Sequence, residues 1–156
     1  MTQNMICKGG NFMHQLNKFM TSNVYTVNET QSVQDAANLM SQYNIGSVPV
    51  VNNAGQMVGI ITDRDITLRT TAQGEAAQTP ISQEMTAQQV VQGTPEMDAH
   101  EAAQLMAQHQ IRRLPVVENG QVIGMVALGD LAVDNQLNNE AEEALSSIST
   151  PSEPQK

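Results

Sequence analysis

The four arginines of this chain stand in two short strings. They are Arg64 and Arg69, in TDRDITLR, and Arg112 and Arg113, in QIRRLP. The chain carries 7 basic residues against 16 acidic ones, a formal net charge of −9. Guanidinium groups bind phosphate and carboxylate through two parallel donors. Because all four arginines of this acidic chain stand in two short strings, the sequence predicts a local anion site. Alternatively, Arg112 and Arg113 pair with surface carboxylates such as Glu118, which contributes little to stability.

Two aspartates lie in the same string as the first arginines. Asp63 and Asp65 follow Thr62 and are two residues apart, a spacing that could hold Mg²⁺ on a bound triphosphate. Acidic residues also favour the first turn of a helix. In that interpretation Thr62 is the N-cap of a helix and Asp65 completes its first turn.

Metal and nucleophile chemistry has little support in the sequence. The histidines, His14, His100 and His109, lack the spacing of metal ligands, and the single Cys7 lies in a Gly-rich leader without a His or Lys pair to activate it. The phosphate-binding strings GxGxxG and GxxxxGK[ST] and the hydrolase string GxSxG are absent. We therefore expect no metal site, no catalytic residues and no enzyme.

Composition excludes several kinds of partner. A net charge of −9 and an aromatic content of 3% argue against direct nucleic-acid binding, which needs a basic surface and stacking platforms. No apolar run approaches the roughly 20 residues that span a bilayer, and the N-terminus lacks a signal-peptide pattern. We expect no membrane partner and a cytoplasmic location.

An internal repeat dominates the organisation of the chain. Most apolar positions of the first half recur 65 or 66 residues later, which predicts two similar halves packed together. The matched pairs include Met20 and Met85, Met40 and Met106, Pro49 and Pro115, Gly59 and Gly124, and Asp65 and Asp130.

Each half has the pattern of a short helix, a strand, a helix, two strands and a last helix. Apolar residues at i, i+3, i+4 and i+7 from Val33 and from Ala99 indicate one buried helix face per half. Ser32 with Asp35, and Asp98 with Glu101, have capping-pair spacing. The second half contains Asn119-Gly120, a strong hairpin signal, between its β-rich runs.

These patterns divide the chain into five segments. They are an N-terminal leader (1–15), the first repeat (16–70), a connector (71–80), the second repeat (81–134) and an acidic tail that we expect to be largely disordered (135–156).

The two halves resemble a pair of cystathionine-β-synthase (CBS) domains, the regulatory unit also called a Bateman module. The family signature stands as GIITDRD, matching at Gly59, Thr62 and Asp65, and again as GMVALGD, which keeps the glycine and Asp130 but has Ala127 in place of the hydroxyl residue. The strings YNIGSVPVV and HQIRRLPVV resemble a second family segment. The resemblance covers about residues 16–133.

The resemblance implies an α+β fold, a tandem CBS-domain repeat of two β-α-β-β-α halves related by pseudo-twofold symmetry. It implies a homodimer and a non-catalytic sensor that requires no cofactor. In the family, two clefts bind adenosine-containing effectors such as AMP, ADP, ATP or S-adenosylmethionine. An aspartate can accept ribose hydroxyls there, and a threonine before a helix can meet a phosphate.

The resemblance also assigns residues to the clefts. The first cleft is expected to contain Thr62, Asp65, Arg112 and Arg113, with Ile60 and Val91 as walls for the base. The second, weaker cleft combines Asp130 with Gly46 and Ser47, which replace the two arginines, so it lacks groups for a phosphate.

Two other functions remain open at this stage. One is a dimerisation or protein-interaction module with vestigial clefts. The other is an accessory subunit that regulates a separate enzyme, transporter or DNA-binding partner, an unidentified target protein.

Overall fold

The computed structural model describes residues 14–132 together with residues 144, 145 and 148. Their contacts form two compact units. The first-repeat unit consists of Asn23–Val90 and Val117–Ile123. The second-repeat unit consists, among the described residues, of residues 14–22, Val91–Val116, residues 124–132 and residues 144, 145 and 148.

The first-repeat unit contains a three-stranded sheet in the order β1-β2-β3. Strand β1 pairs with β2 in parallel, and β2 pairs with β3 antiparallel. The elements in chain order are β1 (Val27–Asn28), α1 (Val33–Tyr43), β2 (Ser47–Val51), β3 (Met57–Thr62), α2 (Asp63–Asp65), a π-helical segment (Ile66–Thr71) and α3 (Ile81–Glu84).

Helix α1 follows the predicted pattern. Its N-cap, Ser32, accepts the Asp35 backbone N–H, and the Asp35 carboxylate accepts the Ser32 N–H, so the predicted capping box is present. The helix ends at Asn44 in the left-handed conformation, with φ of 53°. Its apolar face packs on the sheet because small and unbranched side chains allow close approach. The resulting core contains Val27, Ala36, Met40, Val48, Val50, Ile61 and Ile81.

The signature glycine of the first repeat permits a close backbone approach in the middle of β3. A Cβ atom on Gly59 would lie 2.8 Å from both the Met85 sulfur and the Thr86 carbonyl oxygen. The next residue, Ile60, exchanges backbone hydrogen bonds of 3.0 and 2.9 Å with Thr86. The segment after α3 therefore pairs with β3, and only glycine fits at this position.

The second-repeat unit repeats this arrangement with a different leading segment. Its elements are a 3-10 helix (Leu16–Lys18), α4 (Ala99–His109), α5 (Leu128–Ala132), and parts of β4 (Arg113–Glu118) and β5 (Gln121–Ala127), which pair with each other. A Cβ atom on Gly124 would lie 2.5 Å from the Met20 sulfur. Met125 and Thr21 exchange backbone hydrogen bonds of 3.0 and 2.8 Å. In each unit, the strand that carries the signature of one repeat pairs with the segment that precedes the first long helix of the other repeat. The Gly59 strand pairs with the segment at Thr86, and the Gly124 strand pairs with the segment at Thr21.

The second repeat departs from its predicted pattern in two places. The predicted pair of Asp98 and Glu101 is wrong, because the Asp98 side chain accepts the backbone N–H of His100 instead. The expected first strand is reduced to one parallel bridge between Gly93 and Val116. Glycine has no side chain to pack in a sheet and therefore weakens a strand, and a larger residue is disfavoured because a Cβ there would lie 2.7 Å from Leu16.

The ends of the chain fall mostly outside the described residues. The predicted leader is described only from His14, and the predicted tail only at three positions, of which Ala144 is fully buried and Leu145 is 48% exposed. In the part that the structure describes, no helix has the length and apolar character needed to cross a membrane.

Candidate functional site

Thr62 and Asp65 form a reciprocal capping box at the junction of β3 and α2. The Thr62 hydroxyl oxygen accepts the Asp65 N–H at 3.0 Å, and Asp65 Oδ2 accepts the Thr62 N–H at 3.0 Å. Thr62 keeps an extended backbone, with φ of −117° and ψ of 160°, and so ends the strand while it starts the helix. The capping interpretation of these residues is confirmed. The box occupies one carboxylate oxygen and leaves Oδ1 for other contacts.

Among the described residues, one cationic side chain lies near Oδ1 of Asp65. The Arg69 Nη2 atom lies 3.8 Å from it, and the Arg69 Nη1 atom donates to the Glu84 carbonyl oxygen at 3.0 Å. The Asp65 side chain is 15% exposed and that of Arg69 is 48% exposed. The carboxylate is therefore sheltered but keeps an oxygen without a hydrogen bond from the described residues.

Ser47 and Ile60 lie on the same pair of strands. Ser47 is directly opposite Thr62 across β2 and β3, and Ile60 is half-buried opposite Pro49. The neighbouring Gly46 accepts the Asp63 backbone N–H at 2.9 Å. A Cβ on Gly46 would lie 3.2 Å from Asp63 Oδ2, so a bulky side chain is disfavoured there.

The second repeat carries half of the same capping arrangement. Asp130 Oδ2 accepts the Ala127 N–H at 3.0 Å, but Ala127 has no hydroxyl to return the bond. The Arg112 carbonyl accepts the Leu128 N–H at 2.8 Å, which is the counterpart of the bond between Gly46 and Asp63. Arg113 begins β4. The two arginines therefore lie beside the start of the Asp130 helix within this unit.

Arg112 and Arg113 are both exposed residues. Within the described part of their own unit, neither Arg112 nor Arg113 has a hydrogen bond or an ion pair from its side chain. Guanidinium groups bind anionic ligands through parallel donors.

The eight predicted site residues divide between the units. Val91 is half-buried, two residues before Gly93, whose N–H donates to the Pro115 carbonyl at 2.8 Å. The first-repeat unit contains Ser47, Ile60, Thr62 and Asp65, and the second-repeat unit contains Val91, Arg112, Arg113 and Asp130. The structure brings each group of four into one unit. The grouping of Arg112 and Arg113 with Thr62 and Asp65 around one ligand remains a prediction.

Asp63, His14 and His100 make contacts within the protein. The Asp63 carboxylate accepts the Arg64 backbone N–H at 2.8 Å. His14 and His100 are far apart in sequence, yet their rings pack edge to face with centroids 5.5 Å apart. Among the described residues, no group of three or more His, Cys, Asp or Glu side chains is placed to hold a metal ion.

Sequence reasoning missed a second group of polar residues beside Asp65. Thr70 and Glu84 are buried, with 4% and 7% exposure, and the Thr70 hydroxyl donates to Glu84 Oε2 at 3.3 Å. No signal in the sequence pointed to this pair, because its members are 14 residues apart and belong to different elements.

Relatives of this chain share both repeats. The CBS domain-containing protein YhcV of Bacillus subtilis is 51% identical over 137 residues, which cover 88% of this chain and 96% of that protein. The crystal structure of the CBS domain pair of protein MJ0100, in complex with 5′-methylthioadenosine and S-adenosyl-L-methionine, has a TM-score of 0.68 and 27% identity, and covers 76% of this chain and 97% of that one.

A third relative supports the fold. The CBS domain protein PAE2072 of Pyrobaculum aerophilum has a TM-score of 0.72 at 21% identity, covering 82% of this chain and 98% of that one. The CBS domain family matches this chain twice, over residues 16–69 and 83–133. The chain therefore belongs to the CBS domain family and carries two CBS domains in tandem.

Proposed function

We propose that this chain is a non-catalytic regulatory module that binds an adenosine-containing ligand. The observation that carries the proposal is the CBS pair of MJ0100, which holds two adenosyl compounds in its crystal structure and matches 76% of this chain. Both of those compounds share the adenosine group, so recognition of the nucleoside is the common chemistry. Homodimerisation, and regulation of a separate target protein, are part of the same proposal.

Asp65 is the residue proposed to bind the ribose. Its Oδ2 atom is engaged by the Thr62 N–H, while Oδ1 has no hydrogen bond from the described residues. A carboxylate can accept hydrogen bonds on both of its oxygens. A ribose hydroxyl can therefore donate to Oδ1 while Oδ2 keeps its bond in the capping box. The low exposure of this side chain strengthens such a bond.

Arg112 and Arg113 are the residues proposed to bind a phosphate, with Ile60 and Val91 against the base. The family resemblance supports this grouping with Thr62 and Asp65. The exposed side chains of the arginines, unpaired within the described part of their unit, support the same role. Asp130 and Ser47 belong to the weaker second site, where Ala127 supplies no hydroxyl.

Isothermal titration calorimetry with AMP and adenosine tests these assignments. A thermal-shift panel of AMP, ADP, ATP, S-adenosylmethionine and NADH first identifies ligands, since binding to the native state raises the melting temperature. Asp65→Ala is expected to abolish binding of both AMP and adenosine. Arg113→Ala is expected to weaken AMP by about tenfold to a hundredfold, the effect of losing one charge-assisted hydrogen bond, and to leave adenosine almost unchanged.

Asp130→Ala is the matched control for Asp65→Ala, because both carboxylates cap the same kind of junction. It should reduce AMP affinity much less than Asp65→Ala does. Equal losses of AMP affinity in the two variants would contradict the proposal that the first site binds AMP more tightly than the second. If the parent protein binds none of the five compounds, the regulatory proposal is wrong and a protein-interaction module becomes the better explanation.

A further inference from the structure

Arg69 connects the signature carboxylate of the first repeat to a buried helix end. Its Nη1 atom donates to the Glu84 carbonyl at 3.0 Å, and its Nη2 atom lies 3.8 Å from Asp65 Oδ1. The first contact is a hydrogen bond between residues 15 apart in sequence. The second is too long for a hydrogen bond, so the attraction between Nη2 and Oδ1 is electrostatic and does not use the acceptor positions of Oδ1.

The anchor of Arg69 is a buried residue. Glu84 is the last residue of α3 and is 7% exposed. Its carboxylate accepts a hydrogen bond from the Thr70 hydroxyl at 3.3 Å. Neighbouring residues of the π-helical segment thus contact the main chain and the side chain of the same glutamate. The hydrogen bond to this buried residue holds the guanidinium more firmly than an exposed ion pair alone would.

Arg69 lies in the π-helical segment. Within and after it, the Ala72 N–H donates to the Thr67 carbonyl and the Glu75 N–H to the Thr70 carbonyl, each at 2.9 Å and each across five residues. The wider turn departs from the ordinary α-helical register directly after Asp65. Such π-helical turns are often found at functional sites.

The second repeat has no equivalent arginine. The spacing of 65 residues that pairs Asp65 with Asp130 places Asp134 opposite Arg69. A carboxylate carries the opposite charge to the Arg69 guanidinium, so the sequence of the second repeat does not repeat this chemistry. Among the described residues, Asp65 has a guanidinium nitrogen 3.8 Å from Oδ1, whereas Asp130 forms no ion pair.

We propose that Arg69 is a positioning residue that holds the Asp65 carboxylate for the ribose of the ligand, with Oδ2 fixed by the Thr62 N–H and Oδ1 oriented by the guanidinium. The inference rests on the proposed function and adds a determinant of affinity that lies outside the signature. Arg69 acts through Asp65 and does not touch the ligand. Its removal should therefore affect every ligand that carries the ribose, with or without a phosphate.

Calorimetry with AMP and adenosine on Arg69→Gln separates this role from others. The variant should weaken both ligands by the same factor, about three- to tenfold, as expected for residues coupled in one network. In an Asp65→Asn background, where the amide oxygen can still accept a ribose hydroxyl, the same substitution should change affinity less than twofold. Leu68→Ala is the matched control, because this neighbouring side chain is 49% exposed, and it should leave both affinities unchanged.

Three outcomes would overturn the proposal. Loss of AMP affinity alone would show that Arg69 contacts the phosphate. A lower melting temperature with unchanged affinities would show a purely structural role. Equal losses in the parent and Asp65→Asn backgrounds would show that Arg69 does not act through Asp65.

Arg69→Lys keeps the test valid if the glutamine variant does not fold. The ammonium group retains the charge but cannot contact Glu84 and Asp65 through separate nitrogens, so a smaller loss that is equal for both ligands is expected. An unchanged affinity in this variant would count against the two-contact geometry. A parent protein that binds neither compound would refute the proposed function itself, and this inference with it.

Discussion

Replacing Thr62 with alanine removes the hydroxyl oxygen that accepts the Asp65 N–H at 3.0 Å. The second repeat already carries this change, because Ala127 occupies the matching position and Asp130 supplies only the return bond. The chain therefore offers a reciprocal pair of substitutions. Thr62→Ala should convert the first junction to the state of the second, and Ala127→Thr should do the reverse.

The expected size follows from the geometry of the cap. The lost bond is a neutral backbone-to-hydroxyl hydrogen bond at a half-buried N-cap, and such caps contribute about 1 kcal/mol, within a range of about 0.5 to 2 kcal/mol. The bond from the Thr62 N–H to Asp65 Oδ2 remains, so the helix start is weakened and not lost. In a chain of this size the change corresponds to about 2 to 4 °C in melting temperature. Ala127→Thr should raise the free energy of unfolding by a similar amount.

Urea unfolding followed by far-ultraviolet circular dichroism measures the effect without added ligand. A shift of the midpoint at constant slope reports stability, since the slope follows the surface exposed on unfolding. Thr62→Ser is the control, because it keeps the hydroxyl and removes only the methyl group. A parent-like midpoint for Thr62→Ala would refute the capping argument. A serine variant as unstable as the alanine variant would assign the effect to methyl packing.

Two further expectations concern stability and assembly. Gly59→Ala should destabilise the protein by about 1 to 3 kcal/mol, because the new Cβ would lie 2.8 Å from the carbonyl oxygen of Thr86, a residue whose backbone makes two hydrogen bonds to Ile60. Gly129→Ala in α5 is the control, because its new Cβ would meet nothing within 4 Å, and it should raise the free energy of unfolding by about 0.5 to 1 kcal/mol. If urea unfolding gave the same change in stability for both variants, the close approach at Gly59 would be contradicted. Light scattering should give the mass of a homodimer, as expected for CBS pairs with Met- and Ala-rich helices, and a monomer mass at every concentration would contradict it.

Local features of this fold could be predicted from the sequence because their causes lie within a few residues. The repeat located both signatures, and the spacing of Ser32 and Asp35 predicted a capping box that the structure contains. Thr62 and Asp65 were found in the same way. The same rule failed at Asp98, whose carboxylate satisfies the nearer N–H of His100. Several side chains can satisfy the free N–H groups of a helix start, so spacing alone does not choose among them.

The tertiary structure decided which distant segments meet. It placed Met20 on Gly124 and Met85 on Gly59, and so joined each signature strand to the segment that leads into the other repeat. It also brought Arg69 to Glu84. The two leading segments carry nearly the same local pattern, so the pattern cannot specify the partner of either one. That choice depends on burial of the whole unit and on backbone hydrogen bonds between strands, which are properties of the folded chain.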